Sequence, residues 1–213
     1  MLRNRDDRDR AQAHTLEAVT ASLLLVAGLV FALQATAVTP LTASTSSQHI
    51  ENQQAATAEG VLAVAGDRGE LRQTLLYWNE SGTRHWNTSR GGAYTQGEPP
   101  NEAFGADDDS VPVPFLRTLT QTFLERGIAF DVNAYYVDGG QRRVHHVVDL
   151  GEPSDNAVVA SRPVTLYDDH VVDDWRGDPT GTRLADADGY FTDDTAASGV
   201  YAVVELEVVV WRM

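Results

Sequence analysis

The hydrophobic pattern divides the chain unevenly. From Ala18 to Val38 the sequence AVTASLLLVAGLVFALQATAV carries no charged residue. As a helix those 21 residues reach about 30 Å, the thickness of a bilayer's hydrocarbon core. Pro40 follows and predicts a break or kink. The small, polar run TPLTASTSS at 39–47 suits a linker, or the start of a new helix capped by Ser46 or Ser47. Ile50, Ala55, Ala58, Val61, Leu62 and Val64 then recur at roughly helical spacing, which predicts a helix over 48–65.

Gly66-Asp67-Arg68-Gly69 breaks that pattern. ELRQTLLYWN at 70–79 predicts a short helix with Leu71, Leu75, Leu76 and Trp78 available to a core. Residues 79–114 are rich in Gly, Ser, Asn, Asp and Pro without a useful period, and read as one long loop. In VPFLRTLTQTFLERGI, Phe115, Leu116, Leu119, Phe123 and Leu124 fall on one helical face, and Gly127 is the expected cap. Strand patterns follow at 129–137 and 142–150, joined by the tight-turn signal Asp138-Gly139-Gly140. A third strand covers 157–168, with an interruption expected near Pro163. The closing run VYAVVELEVVVWRM passes from alternating to continuously apolar, which predicts a strand central in its sheet. Helices first and strands afterwards give an α+β class: one N-terminal transmembrane helix continuing into a helical stalk, then a mostly antiparallel sheet with packed helices.

Charge refines this picture. The chain carries 31 acidic and 16 basic residues, a net charge of -15, and every basic residue is arginine. Such a surface repels phosphates, so no nucleic-acid partner is expected. It suits a halophilic protein whose self-repulsion is screened by salt. No cysteine is present, which excludes disulfides, thiolate catalysis and cysteine zinc sites.

Arg3, Arg5, Arg8 and Arg10 precede the apolar stretch, and no arginine recurs until Arg68. The positive-inside rule then places the N-terminus in the cytoplasm and the remainder outside, as a single-pass protein of the cell membrane. The expected organisation is a cytoplasmic basic leader at 1–14, a transmembrane helix at 15–39, a linker and helical stalk at 40–66, and an extracellular α+β domain at 67–213. Three readings of the N-terminus stand open: a secretory signal peptide cut at Ala35-Thr36-Ala37, a plain signal anchor, or a processed pilin-type helix.

The run Arg10-Ala11-Gln12-Ala13-His14-Thr15-Leu16-Glu17 leads directly into the apolar helix. It resembles the class III signal of archaeal type IV pilin-like proteins. The longer pattern HTLEAV…FALQATAVTPLTASTSSQHIENQQ…LLYWN is similar to an uncharacterised family of haloarchaeal pilin-like membrane proteins. The resemblance implies cleavage between Ala11 and Gln12 by a prepilin peptidase on the cytoplasmic side. It also implies that Glu17 pairs with the N-terminal amine of a neighbouring subunit, so that other pilin-like subunits are the partners. A carboxylate at the edge of an apolar helix is costly unless paired or at the interface, although a helix N-terminus among headgroups also suits it.

Chemistry elsewhere is sparse. Asn79-Glu80-Ser81 and Asn87-Thr88-Ser89 are glycosylation sequons for an outward-facing surface. His145 and His146 are adjacent in a strand and should point to opposite faces, so they do not share one metal. Asp168-Asp169-His170 and Asp173-Asp174 read as an acidic loop. Asp186-Ala187-Asp188-Gly189 begins like a calcium loop, but lacks the later ligands, leaving Asp186 and Asp188 as weak metal candidates. No G-x-S-x-G, H-E-x-x-H or phosphate-binding glycine loop occurs, so neither enzymatic activity nor a cofactor is expected. The function expected is a minor subunit of a type IV pilus-like or secretion-type assembly. The alternatives are a stand-alone anchored binding module and a hydrolase released after Ala37.

Overall fold

The computed structural model describes residues 3–86, 88, 93–95, 113–194 and 198–213. Its contacts separate two compact units, Met1–Ile50 and Glu51–Met213. Helix α1 (Arg3–Asp67) supplies the whole of the first and the start of the second. The helix is unbroken at Pro40, where a break was expected. Proline removes one intrahelical hydrogen bond, and the backbone hydrogen bonds of the turns on either side keep the helix together.

In the first unit, His14–Gln34 is long and apolar enough to cross a membrane. Leu23, Leu24, Leu25 and Phe31 expose 63%, 74%, 76% and 73% of their surface, so no described residue of this unit covers them. The few hydroxyls in the stretch turn back onto the helix. Thr20 Oγ1 donates to the Leu16 carbonyl at 2.6 Å and Ser22 Oγ to that of Ala18 at 2.7 Å. Both of these hydroxyl donors are thereby met within the helix, as an apolar environment favours.

The second unit is α+β. On the later turns of α1, Gln54, Ala58, Leu62 and Ala65 are buried, and Val61 packs partly against them. Val64 points outward instead, half exposed. Gly69, in the left-handed region at φ 76°, turns the chain into helix α2 (Glu70–Leu76). This helix is shorter than the pattern predicts, because Tyr77 leaves it and bridges to Asp173, and Trp78–Asn79 becomes strand β1. Helix α3 (Pro114–Thr122) starts on a proline, which lacks the N–H that a first turn leaves unpaired anyway. A 3-10 turn (Leu124–Arg126) closes it. The expected cap is present: Gly127 has φ 74°, its N–H donates to Leu124 at 3.0 Å, and the Ile128 N–H donates to Phe123 at 3.1 Å, a Schellman pattern.

The segment expected to be one loop contains more structure. Strand β1 pairs with β2 (Arg84–His85), and β3 (Tyr94–Thr95) joins the main sheet. Aromatics drive this: Trp78, His85 and Tyr94 are buried and supply the contacts that a polar loop would lack. The remaining strands are β4 (Ile128–Asp138), β5 (Gln141–Asp149), β6 (Val158–Tyr167), β7 (Val171–Asp173), β8 (Pro179–Arg183) and β9 (Val200–Arg212).

Among the described residues the main sheet runs β3-β5-β4-β9-β6, antiparallel except where β3 meets β5. Strand β9 lies between β4 and β6, as its apolar run predicts. Its Ala202, Val204, Leu206, Val208 and Val210 enter the core with Phe130, Val132 and Ala134 of β4. The β4–β5 hairpin turns at Gly139 and Gly140, both at positive φ (54° and 78°), the type I′ geometry that suits strand twist. Pro163 does not interrupt β6. The strand sits at the sheet edge, paired with β9 alone, where a residue without an N–H costs least. The β7–β8 pair forms a small second ribbon, and β7 runs through the stretch around Asp168–Asp174 expected to be an acidic loop.

Candidate functional site

Two histidines and a tryptophan come together where the β1–β2 hairpin meets β5. Asn79 and Gly82 shape the hairpin. The Asn79 side-chain oxygen accepts the Gly82 N–H at 3.1 Å, and a 3-10 turn (Glu80–Gly82) carries the chain round. Thr83 then sits at φ 49°, a left-handed conformation that a β-branched residue adopts only under strain. Register places Trp78 opposite His85.

His145 reaches the same region from β5, where it pairs with Ala134 and shares its inward face. Adjacent His146 faces the other way, its Nδ1 at 2.8 Å from Asn133 Oδ1. The expectation that these two histidines diverge therefore holds. The His85 and His145 rings lie with centroids 5.1 Å apart. Trp78 meets their edges at 5.1 and 5.6 Å, and Phe191 stacks on His145 at 4.7 Å and 14°. Tyr190 closes the far side of Trp78 at 5.3 Å and donates its hydroxyl to the Leu75 carbonyl at 3.0 Å.

Hydrogen bonding fixes the chemistry of His85. Its Nδ1 lies 2.9 Å from the Tyr77 carbonyl. A carbonyl only accepts, so Nδ1 carries the proton and Nε2 offers a lone pair. That Nε2, the Nε2 of His145 and the Nε1 of Trp78 are buried without a hydrogen-bond partner among the described residues. Burial pushes the His85 pKa down to about 4. Burial, then the neighbouring His85 and His146, push His145 down to about 3. Both rings are neutral at ordinary pH. A cleft of about 440 Å³ opens onto this cluster, lined by Trp78, Thr83, Arg84, Tyr136, His145 and Phe191. Gly189 lies on its rim at φ 66°, where a Cβ would come within 2.5 Å of Thr83 Cγ2.

A family model covers residues 10–210, nearly the whole chain. The chain belongs to DUF7288, a family of unknown function. No curated protein and no solved structure matches it.

Of the residues that sequence reasoning singled out in this DUF7288 chain, Asn79 and His145 belong to this region and the others stand elsewhere. Ala11 and Gln12 lie in α1, and their side chains are outside the described residues. Glu17 is on the exposed surface of α1, with the His14 imidazole 3.8 Å away. Asn79 is half-buried, and its amide serves the hairpin turn, while Asn87 lies outside the described residues. Asp186 and Asp188 are both exposed, and no group of three or more His, Asp or Glu able to hold an ion occurs among the described residues. His85 went unnoticed in the sequence because it lies in the segment read as loop. The available signal was the aromatic density of Tyr77-Trp78 and His85-Trp86 on either side of the Asn79–Thr83 turn.

Proposed function

We propose that this DUF7288 chain is a surface protein anchored in the cell membrane by α1, and that it serves as a pilin-like subunit, a minor one, in a type IV pilus-like or secretion-type assembly. One observation carries the anchoring: a helical stretch of 21 residues, His14–Gln34, whose large apolar side chains are covered by no described residue of their unit. Helix association or lipid has to cover them. The arginines at 3, 5, 8 and 10 favour a cytoplasmic N-terminus and an extracellular α+β unit. The later turns of α1, with Ala58, Leu62 and Ala65 in the core beneath an antiparallel sheet, suit a pilin-like head. Glu17 is exposed and available to a neighbouring subunit's amine.

Mass spectrometry of the chain purified from membranes tests this reading. The expected mature N-terminus is Gln12, formed only when prepilin peptidase is present. An intact Met1 or Leu2 terminus would refute processing and with it the pilin-like role, while a soluble form beginning at Val38 would refute the anchor. A second reading, an anchored binding module, is favoured by the cleft over Trp78 and His145. It requires neither Gln12 nor assembly.

A further inference from the structure

We propose that His85 and His145 bind a first-row transition-metal ion of the Zn²⁺/Cu²⁺ class through their Nε2 atoms, with the remaining ligand positions open to the cleft. The proposal starts from unmet hydrogen bonds. His85 is 1% exposed, and its Nε2 lone pair faces inward with no partner among the described residues. A buried polar atom left unpaired is destabilising, and three occur in this one cluster.

The His85 and His145 nitrogens have the character of ligands. Imidazole suits zinc and copper, and a metal-binding histidine characteristically donates its other N–H to a carbonyl or carboxylate, which fixes ring and tautomer. His85 does this to Tyr77 at 2.9 Å. His145 is held by its stack on Phe191. Spacing agrees as well. With a metal–nitrogen bond of about 2.05 Å and a ring centroid about 1.15 Å beyond the nitrogen, two imidazoles on a tetrahedral ion have centroids about 5.2 Å apart. The observed separation is 5.1 Å.

The third unmet atom, Trp78 Nε1, is a donor. It suits an oxygen ligand carried by the ion, a water or hydroxide arriving through the cleft. Arg84 lines that cleft and disfavours a bare cation, which selects an anionic co-ligand such as hydroxide or chloride. Two protein ligands and an accessible remainder make this an open site rather than a closed structural one. This inference does not depend on the pilin-like reading.

Equilibrium dialysis of the full chain in detergent against Zn²⁺ at pH 7.5, followed by metal analysis, tests the site. One ion per chain at micromolar free Zn²⁺ is expected, and Cu²⁺ should quench part of the tryptophan fluorescence with the same stoichiometry. His145→Phe keeps the stack on Phe191 and should lower the affinity at least tenfold, while His146→Ala, on the opposite face, should leave it unchanged. Should His145→Phe not fold, imidazole nitrogen spectra of the unaltered chain replace it: Zn²⁺ must shift the Nε2 resonances of His85 and His145 and no others. Failure to retain zinc would overturn the proposal and leave a bridging water as the occupant. Binding that survives His145→Phe, or that His146→Ala abolishes, would overturn it too and place the ion elsewhere.

Discussion

Single residues in this chain carry strain and charge that the surrounding fold offsets, and Asp131 shows how. It lies on β4, 8% exposed, with Oδ1 accepting the Leu150 N–H at 2.7 Å. Burial is the largest influence and raises its pKa to about 6. The Leu150 hydrogen bond and nearby His146 act the other way, and Asp149 adds to the rise. An acid whose folded pKa exceeds its unfolded value binds its proton more tightly when folded. Its stabilising effect is therefore complete at low pH and is lost as pH climbs through about 6. Asp131→Asn keeps an oxygen for Leu150 and removes the charge. The variant should match the parent near pH 4 and exceed it by about 1 kcal/mol above pH 6.5, a gain that chemical denaturation at several pH values will resolve. Equal stability at both ends of the range would mean that the carboxylate is effectively solvated.

At the scale of elements, the β4–β5 hairpin depends on two glycines at positive φ with nothing within 4 Å of where a Cβ would stand. Substitution there tests backbone preference without steric clash. Gly139→Asn should be nearly neutral, because Asn tolerates the left-handed region in a type I′ turn, whereas Gly140→Val should cost about 2 kcal/mol in thermal or denaturant unfolding. Equal costs for the two would argue for a different turn. This hairpin was legible from Asp138-Gly139-Gly140 between two β-patterned runs, as were the Gly127 cap and the central place of β9. Each is written in local sequence, where turn chemistry or period speaks directly. The β1–β2 hairpin and β3 were not legible. Their stability comes from partners far along the chain, such as Trp86 Nε1 donating to the Asp173 carbonyl at 2.9 Å and Tyr77 OH to that of Trp175 at 2.8 Å. The candidate site was hidden for the same reason. His85 and His145 are sixty residues apart in number and lie in different sheets, and only the packing of the β1–β2 hairpin against β5 makes them neighbours.

For the whole molecule, the governing quantity is the charge of -15 with no lysine. Ion pairs among the described residues include Arg142 with Glu205 at 2.9 Å, Arg162 with Asp67 at 2.9 Å, Arg143 with Asp138 at 3.2 Å and Arg68 with Glu70 at 3.6 Å, and most of these side chains are exposed. Exposed pairs of this kind are each worth well under about 1 kcal/mol, too little to balance the excess acid. Self-repulsion among carboxylates is therefore left to salt. Its range shrinks from about 10 Å at 0.1 M to about 3 Å at 1 M, so most of the relief should arrive below 1 M. Moving the full chain from 1 M to 0.1 M KCl should lower its Tm by roughly 5–10 °C, the equivalent of about 2–3 kcal/mol for a unit of this size. A further step to 3 M acts through exclusion of salt from apolar surface and should add less per mole. The two mechanisms separate on an uncharged osmolyte, which reproduces exclusion without screening. A Tm that follows sucrose as closely as KCl, or that ignores salt below 1 M, would show that acidic repulsion does not limit this fold. The surface charge would then have to be explained by what the α+β unit meets rather than by the medium in which it folds.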